Sequence, residues 1–192
     1  AAALEAGESQ SLPRAKFDAC REANAVISCG IGDARYGLEL ERGLLTLRHK
    51  LRYFLLLYNP AHLKLKKIEE LDLKFARELT GGVYYSDRYE ASDGEGGTAI
   101  DTTRYTKSQI PRLACVAGSY TMQFHAEAAY VITNLILWRL TVTDVFENEF
   151  PAVTLYHILV DTAAMFLSSN PTSLNGIKLT ENLFGNILSD QL

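Results

Sequence analysis

The stretch that decides the fold is GIKLTENLFGNILSD, residues 176–190. It begins after the turn signal Asn175-Gly176, continues as the β-prone run 176–180, and passes directly into an apolar pattern of helical spacing from Asn182 onward. The same order of strand and helix occurs at 153–167, where VTLYHILV precedes a short helical segment at 162–167. Repeated strand–helix units predict an α/β fold.

Other segments extend this pattern along the chain. Helices are predicted at 13–24, 40–53, 108–124 and 131–149, and strands at 25–31 and 72–85, the last broken by Gly81-Gly82. YFLLLY, 53–58, is too short to cross a bilayer and is predicted to be a buried strand or a helix end. The polar, glycine-rich stretch 90–103 is predicted to be a loop.

Composition restricts the possible partners. The 192 residues carry a net charge of -4, which argues against nucleic acid, because phosphate binding requires a basic face. Three widely spaced cysteines favour a reducing compartment over a disulfide scaffold. With no membrane-spanning run and no signal peptide in this sequence, a cytoplasmic location is expected.

Several motifs together resemble one family. RELTGGVYY (77–85), DTTRYT (101–106), HILVDTAAM (157–165) and LTENLFGNILSD (179–190) look like 3-isopropylmalate dehydrogenase of the β-decarboxylating dehydrogenases, most of all its fungal members. The resemblance implies one truncated α/β domain over 1–192. That domain would be mainly the second, dimerisation domain with part of the first, without the N-terminal βα unit and the C-terminal cofactor region.

The resemblance also implies roles for individual residues. Arg48 and Arg77 match arginines that hold the substrate carboxylates, since a guanidinium binds a carboxylate through two parallel hydrogen bonds. A further arginine of the family falls on Tyr58 or Asn59, neither of which is cationic. Tyr84 matches the tyrosine that transfers a proton.

The lysine and the metal ligands of the family are altered. Counting back from Trp138 without gaps places the lysine on Ala128, in a stretch that is predicted to be an apolar helix. Asp161 and Asp190 match two metal-binding aspartates, and Asn186 stands in place of the third. A hard cation favours carboxylate oxygens, so this degenerate site is expected to bind Mg²⁺ weakly or not at all, and NAD use is not expected. The alternative for both aspartates is local helix capping.

Two functions remain open. The first is a repurposed non-redox enzyme, an isomerase, cyclase or lyase of biosynthesis, in which Arg77 and Tyr84 are catalytic. Its small carbonyl- or carboxylate-bearing substrate would be bound by Arg48, Arg77 and Tyr84 against an apolar wall of Tyr130 and Leu135. The alternative is a non-catalytic protein that binds a ligand or a full-length relative as a regulator. An open apolar pocket around the arginines and Tyr84 favours the enzyme, and side chains tied up internally favour the binding role.

The resemblance implies a homodimer built from the helices predicted at 108–124 and 131–149. Asp161 of one chain would then face Asp190 of the other. The apolar residues at 135–137 are candidates for burial against a partner, with ordinary helix core as the alternative. His125, near the altered lysine stretch, is a candidate base or a structural histidine.

Overall fold

A computed structural model describes residues 12–23, 26, 38–51, 54–57, 71–91, 96–126 and 128–191. The chain divides into two compact units, 1–53 and 54–192, and each is described by itself. The strand predicted at 25–31 lies almost entirely outside the described residues. The same holds for Tyr58 and Asn59.

The described residues of the first unit form two helices. Helix α1 is Arg14–Glu22 and follows Pro13, whose φ of -60° suits the start of a helix. Helix α2 is Leu38–Leu51 and carries Arg48, which is partly buried. Both helices agree with the sequence prediction to within two residues.

The second unit is built on a five-stranded sheet with the order β1-β2-β7-β5-β6. Its strands are β1 (Phe54–Leu57), β2 (Leu73–Glu78), β5 (Ala129–Ile132), β6 (Leu155–Ile158) and β7 (Gly176–Thr180). β1 pairs antiparallel with β2, and the other pairs are parallel. The mixed sheet confirms the α/β class, and β1 confirms the strand interpretation of YFLLLY.

Helices cover both faces of this sheet. Helices α3 (Ile110–Gln123) and α4 (Ile136–Glu149) bury a core around Trp138 with Ile177 and Leu179 of β7. Helices α5 (Val160–Ser169) and α6 (Asn182–Ser189), with a 3-10 helix at Pro171–Leu174, bury a second core with alternate residues such as Phe75 and Ile132. Because both faces are covered, the residues of β2, β5 and β7 are mostly buried whichever face they occupy.

The prediction of one helix over 131–149 was wrong at its start. Residues 129–132 form β5, which lies between β6 and β7, and the helix begins only at Ile136. Ala129, Val131 and Ile132 are all fully buried, so the apolar run that suggested a helix is a central strand of a parallel sheet. The hydroxyl oxygen of Thr133 accepts a hydrogen bond from the Leu135 amide at 3.0 Å and shapes the turn between β5 and the helix.

The loop predicted at 90–103 was also wrong in part. Strands β3 (Arg88–Ala91) and β4 (Thr98–Asp101) pair antiparallel in a separate two-stranded sheet. Positive φ angles of 110° at Gly96 and 125° at Gly97 lie just before β4, so the glycines that suggested a loop belong to the connection of a hairpin. No described helix is both long and apolar enough to cross a bilayer.

Candidate functional site

Buried polar residues gather where β2 and β7 end. The two strands are parallel, and Arg77 stands opposite Thr180 in their register. Each strand continues into further buried polar residues, Glu78 on one and Glu181 and Asn182 on the other. The carboxyl ends of parallel strands are where α/β folds commonly bind ligands, so this edge is the candidate site.

Arg77 is held by asparagines of helix α6. Its side chain is buried, with 4% of the residue exposed. Nε and Nη2 donate to Oδ1 of Asn182 at 3.2 and 2.9 Å, and Nη1 donates to Oδ1 of Asn186 at 2.5 Å. Asn182 is fixed in turn, because its Nδ2 donates to the Gly81 carbonyl at 3.1 Å. The guanidinium that was predicted to bind a ligand carboxylate is therefore engaged by two amides of its own chain.

Tyr105 forms a wall of the same edge. Its hydroxyl oxygen accepts a hydrogen bond from the backbone N–H of Asn182 at 2.8 Å. Burial raises the pKa of the Tyr105 hydroxyl far above its usual value, so the hydroxyl stays protonated. The ring lies so close to Gly81 that a Cβ there would be 2.6 Å from ring carbons. Gly82 has a φ of 78° and donates to the Arg104 carbonyl at 3.1 Å. The two glycines are thus needed for Tyr105 to reach Asn182.

Glu78 anchors the strand end on the other side. It is fully buried, and Arg112 of α3 donates to both its carboxylate oxygens at 3.0 and 2.8 Å. The Leu79 and Thr80 amides and the Thr80 hydroxyl also donate to it. This ion pair ties the end of β2 to helix α3 and thereby fixes the neighbouring Arg77.

Glu181 supplies a second buried carboxyl group. Only 1% of the residue is exposed, and Oε1 accepts from the Thr133 hydroxyl at 2.9 Å. Burial raises its pKa, and the Thr133 bond partly opposes that shift. The hydroxyl of neighbouring Thr180 finds no hydrogen-bond partner among the described residues.

Tyr84 lies in the turn after β2 and is partly exposed. Its hydroxyl makes no hydrogen bond to the part of the chain that the structure describes. The turn itself is well fixed, because Ser86 Oγ donates to the Gly82 carbonyl at 2.9 Å and accepts from the Arg104 amide at 3.0 Å. The predicted role of Tyr84 stays a prediction.

The residues matched to metal ligands are distributed over two helices. Asp161 is exposed in the first turn of α5, where Oδ1 accepts from the amide of the next residue, Thr162, at 2.7 Å. Asp190 is exposed at the end of α6, one turn beyond Asn186. No group of three or more acids, cysteines or histidines capable of holding a metal occurs within the described ranges.

The donor set does not fit a divalent cation. Oδ1 of Asn186 already accepts from the Arg77 guanidinium, whose positive charge repels a cation at the same oxygen. An amide oxygen brings no compensating charge. Within this chain, the side chain of Asn186 is therefore in contact with an arginine.

The two residues of the predicted apolar wall make contacts of their own, and their role beside Arg77 stays a prediction. Tyr130 stands opposite Lys178 on β7, and its hydroxyl donates to the Ser173 carbonyl at 3.2 Å, just before β7 begins. Arg77 meets helix α6, which follows the end of β7. Leu135 packs against the core that contains Trp138.

Three remaining features are described by themselves. Arg48 belongs to the first unit. His125 is exposed, has a φ of 49°, and follows the end of α3. A cavity of about 570 Å³ lies within the first unit and contains no predicted site residue; it is lined by Phe17, Cys20, Arg21, Ala23, Lys50 and Leu51.

Sequence reasoning missed Asn182, Tyr105 and Arg112 as parts of the site. Asn182 could have been found, since it lies four residues before Asn186 and therefore on the same helix face. The contacts of Tyr105 and Arg112 span 77 and 34 residues and leave no local signal.

Comparisons with known proteins agree with this architecture. The family model described as isocitrate/isopropylmalate dehydrogenase matches residues 1–192. The 3-isopropylmalate dehydrogenase of Eremothecium gossypii is 36% identical, covering 99% of this chain and 56% of its own length. That of Sordaria macrospora is 38% identical over 91% of this chain and 53% of its own length. The chain belongs to the isocitrate/isopropylmalate dehydrogenase family and spans about half the length of the curated relatives it matches.

Solved structures show the same fold at lower identity. Isocitrate dehydrogenase from Methylococcus capsulatus superposes with a TM-score of 0.68 at 20% identity, over 99% of this chain and 58% of that one. The TT0538 protein from Thermus thermophilus gives 0.72 at 18% identity, over 100% of this chain and 40% of that one. The expected isopropylmalate dehydrogenase-like fold, present only in part, is confirmed.

Proposed function

We propose that this chain does not carry out the dehydrogenase reaction and acts as a non-catalytic member of its family that binds another chain of that family. The contact of Arg77 with Asn182 and Asn186 carries this proposal. A buried guanidinium already held by two internal amides must break those bonds before it can bind a substrate carboxylate. Because the Arg77 side chain is engaged internally, the contact favours the binding role over the enzyme.

The altered catalytic positions support the loss of redox chemistry. Ala128, which the resemblance matches to the lysine, is buried before β5 and accepts from the Ile177 amide near the start of β7. It lies at the opposite end of these strands from Arg77 and supplies no proton-transferring group to the candidate site. The Arg77 contact at Asn186 opposes a divalent cation, which the family reaction needs to polarise the substrate oxygen. The proposal therefore includes neither NAD nor more than residual Mg²⁺ binding.

An exposed apolar surface on helix α4 is the proposed contact with the partner chain. Ile136 is 74% exposed, Leu140 65% and Leu137 44%, and Ile136 and Leu140 are one helical turn apart. Ordinary helix core, the alternative considered for residues 136 and 137, does not describe them. Clustered exposed apolar side chains commonly mark protein–protein contacts. The simplest partner is a second copy, and a full-length relative is the other partner of the same family.

Light scattering coupled to size-exclusion chromatography tests the binding role. The proposal expects a dimer at micromolar concentration, and a monomer when both Ile136→Glu and Leu140→Glu are introduced. Ile100→Glu is the control, since Ile100 is 47% exposed on β4 of the separate two-stranded sheet, outside the helices from which the dimer is predicted. If the wild-type chain stays monomeric and also fails to bind a full-length family member, the proposal is wrong.

An activity assay tests the loss of chemistry separately. Isopropylmalate, Mg²⁺ and NAD together should give no NADH absorbance above the level without protein. Turnover of NAD would overturn the non-catalytic proposal even if the chain dimerises.

Tyr84 favours a second candidate, a repurposed non-redox isomerase, cyclase or lyase acting on a small carbonyl or carboxylate compound. Its phenol is partly exposed in a fixed turn and could donate a proton to a carbonyl oxygen. Metabolite profiles of the source organism with and without the gene test this function. A compound that accumulates without the gene, and that the purified protein but not Tyr84→Phe consumes, would support the enzyme.

A further inference from the structure

Lys178 carries a buried amine that neither proposed function uses. It lies in the middle of β7 with Phe75 and Tyr130 opposite it on the two neighbouring strands. None of its surface is exposed. Nζ donates to the Gly176 carbonyl at 2.9 Å and lies 5.5 Å from the centre of the Tyr130 ring. An ammonium group has three donors and is strongly hydrated in water, so this environment disfavours its charged form.

Charged groups near Lys178 do not compensate for this burial. Asp72, ahead of β2, favours the protonated amine, but its carboxylate is paired with Lys74, which disfavours it. Among the elements packed on this face, α5 carries Asp161 and α6 is followed by Asp190, and both are exposed. Burial is the largest effect and lowers the pKa of Lys178 to about 6.

The segment 170–176 covers this end of the sheet and is held there by hydrogen bonds. Tyr130 donates to the Ser173 carbonyl at 3.2 Å, and the Asp72 amide donates to Oδ1 of Asn175 at 3.0 Å. The Gly176 amide donates to the Asp72 carbonyl at 2.8 Å. Lys178 itself adds a contact at the Gly176 carbonyl, and the Asn170 amide donates to the Phe166 carbonyl at 2.8 Å. Apart from buried Leu174 and Pro171, the 3-10 helix adds little apolar anchoring.

We propose that protonation of Lys178 opens the segment 170–176, so that the chain carries an acid-sensitive cover over the second face of its sheet. The protonated amine gains hydration when the segment moves away, and the neutral amine keeps the segment closed. Tyr130, whose ring lies against Nζ and whose hydroxyl holds Ser173, couples the two events. This inference concerns the face opposite helix α4 and is independent of the proposed partner contact.

Hydrogen exchange on the whole chain tests the proposal. Protection factors, corrected for intrinsic exchange rates, should fall for the amides of 171–177, except Pro171, which has no N–H, by about tenfold per pH unit from pH 8 to pH 6 and then level off. Amides of α3 should keep their protection over the same range. Lys178→Met should remove the pH dependence in 171–177, and Lys107→Met, which deletes an exposed lysine, should retain it.

Constant protection of 171–177 in the wild-type chain would overturn the proposal, as would a Lys178→Met variant that follows the wild-type profile. The wild-type protein also permits a test that needs no variant. NMR titration of the lysine Cε signals should show one amine titrating well below the others. Titration of all lysines near pH 10 would contradict the proposal even if the variant failed to fold.

Discussion

Replacing Asn186 by aspartate tests the central contact of the candidate site. Arg77 donates to Oδ1 of Asn186 at 2.5 Å, so Asn186→Asp places a carboxylate against a buried guanidinium with little change in shape. Two unit charges about 4 Å apart attract by roughly 4 kcal/mol at an effective dielectric constant of 20. Desolvation of the new carboxylate at this partly buried position offsets more than half of that. We expect a net gain of about 1–2 kcal/mol in the free energy of unfolding at pH 7.

Thermal unfolding followed by circular dichroism measures this gain as a rise in Tm of about 2–8 °C for a chain of this size. The guanidinium should hold the pKa of the new carboxyl below its unfolded value of about 4, so the gain is present above that pH and is lost as pH falls further. Mg²⁺ should add no further shift, because Arg77 already neutralises the carboxylate.

Asp190→Asn is the matched control, since it changes a carboxyl to an amide on the same helix face one turn further on. It should alter stability by less than about 0.5 kcal/mol. If Asn186→Asp is neutral or destabilising while the control is neutral, Arg77 does not face residue 186 in solution. The proposed function would then lose the observation that carries it. A Tm that rises only with Mg²⁺ would instead indicate a working metal site.

Three further substitutions test the surrounding structure. Arg112→Met leaves the fully buried Glu78 without the Arg112 cation and should lower the free energy of unfolding, measured in urea, by about 2–4 kcal/mol. Adding Glu78→Gln to this variant should recover part of the loss. Gly82→Ala places a Cβ against Tyr105 at a φ of 78° and should lower the free energy of unfolding by roughly 2 kcal/mol. Adding Tyr105→Leu should remove the steric clash but not the backbone strain. Lys178→Met should stabilise the chain at pH 7. Because the folded pKa of about 6 lies below the ordinary 10.5, wild-type stability rises with pH between those values, so the advantage of the variant should shrink by about 1.4 kcal/mol per pH unit from pH 7 to pH 9.

The local sequence pattern was sufficient to predict those helices and strands whose tertiary contacts are consistent with their own apolar periodicity. The strand at 176–180 and the helix after it follow from a turn signal and an apolar pattern within fifteen residues. The helix predicted at 108–124 is present as Ile110–Gln123, with Pro111 in its first turn. The same local reasoning failed at 129–132, because a short apolar run is compatible with a buried helix and with a central strand. Pairing with β6 and β7 decides between them.

In the candidate site, too, some properties follow from the sequence and others only from the tertiary structure. The sequence by itself determined the family, the α/β class and the residue types at the altered positions, including Asn186 and Ala128, because these are properties of individual letters and short motifs. Only the tertiary structure decided that Arg77 is bound by Asn182, 105 residues away, and that Lys178 has no exposed surface. Sequence spacing carries no information about a contact between segments that meet only when β2 and β7 pair. It is equally silent about the burial of a lysine, because that depends on the elements that cover both faces of the sheet.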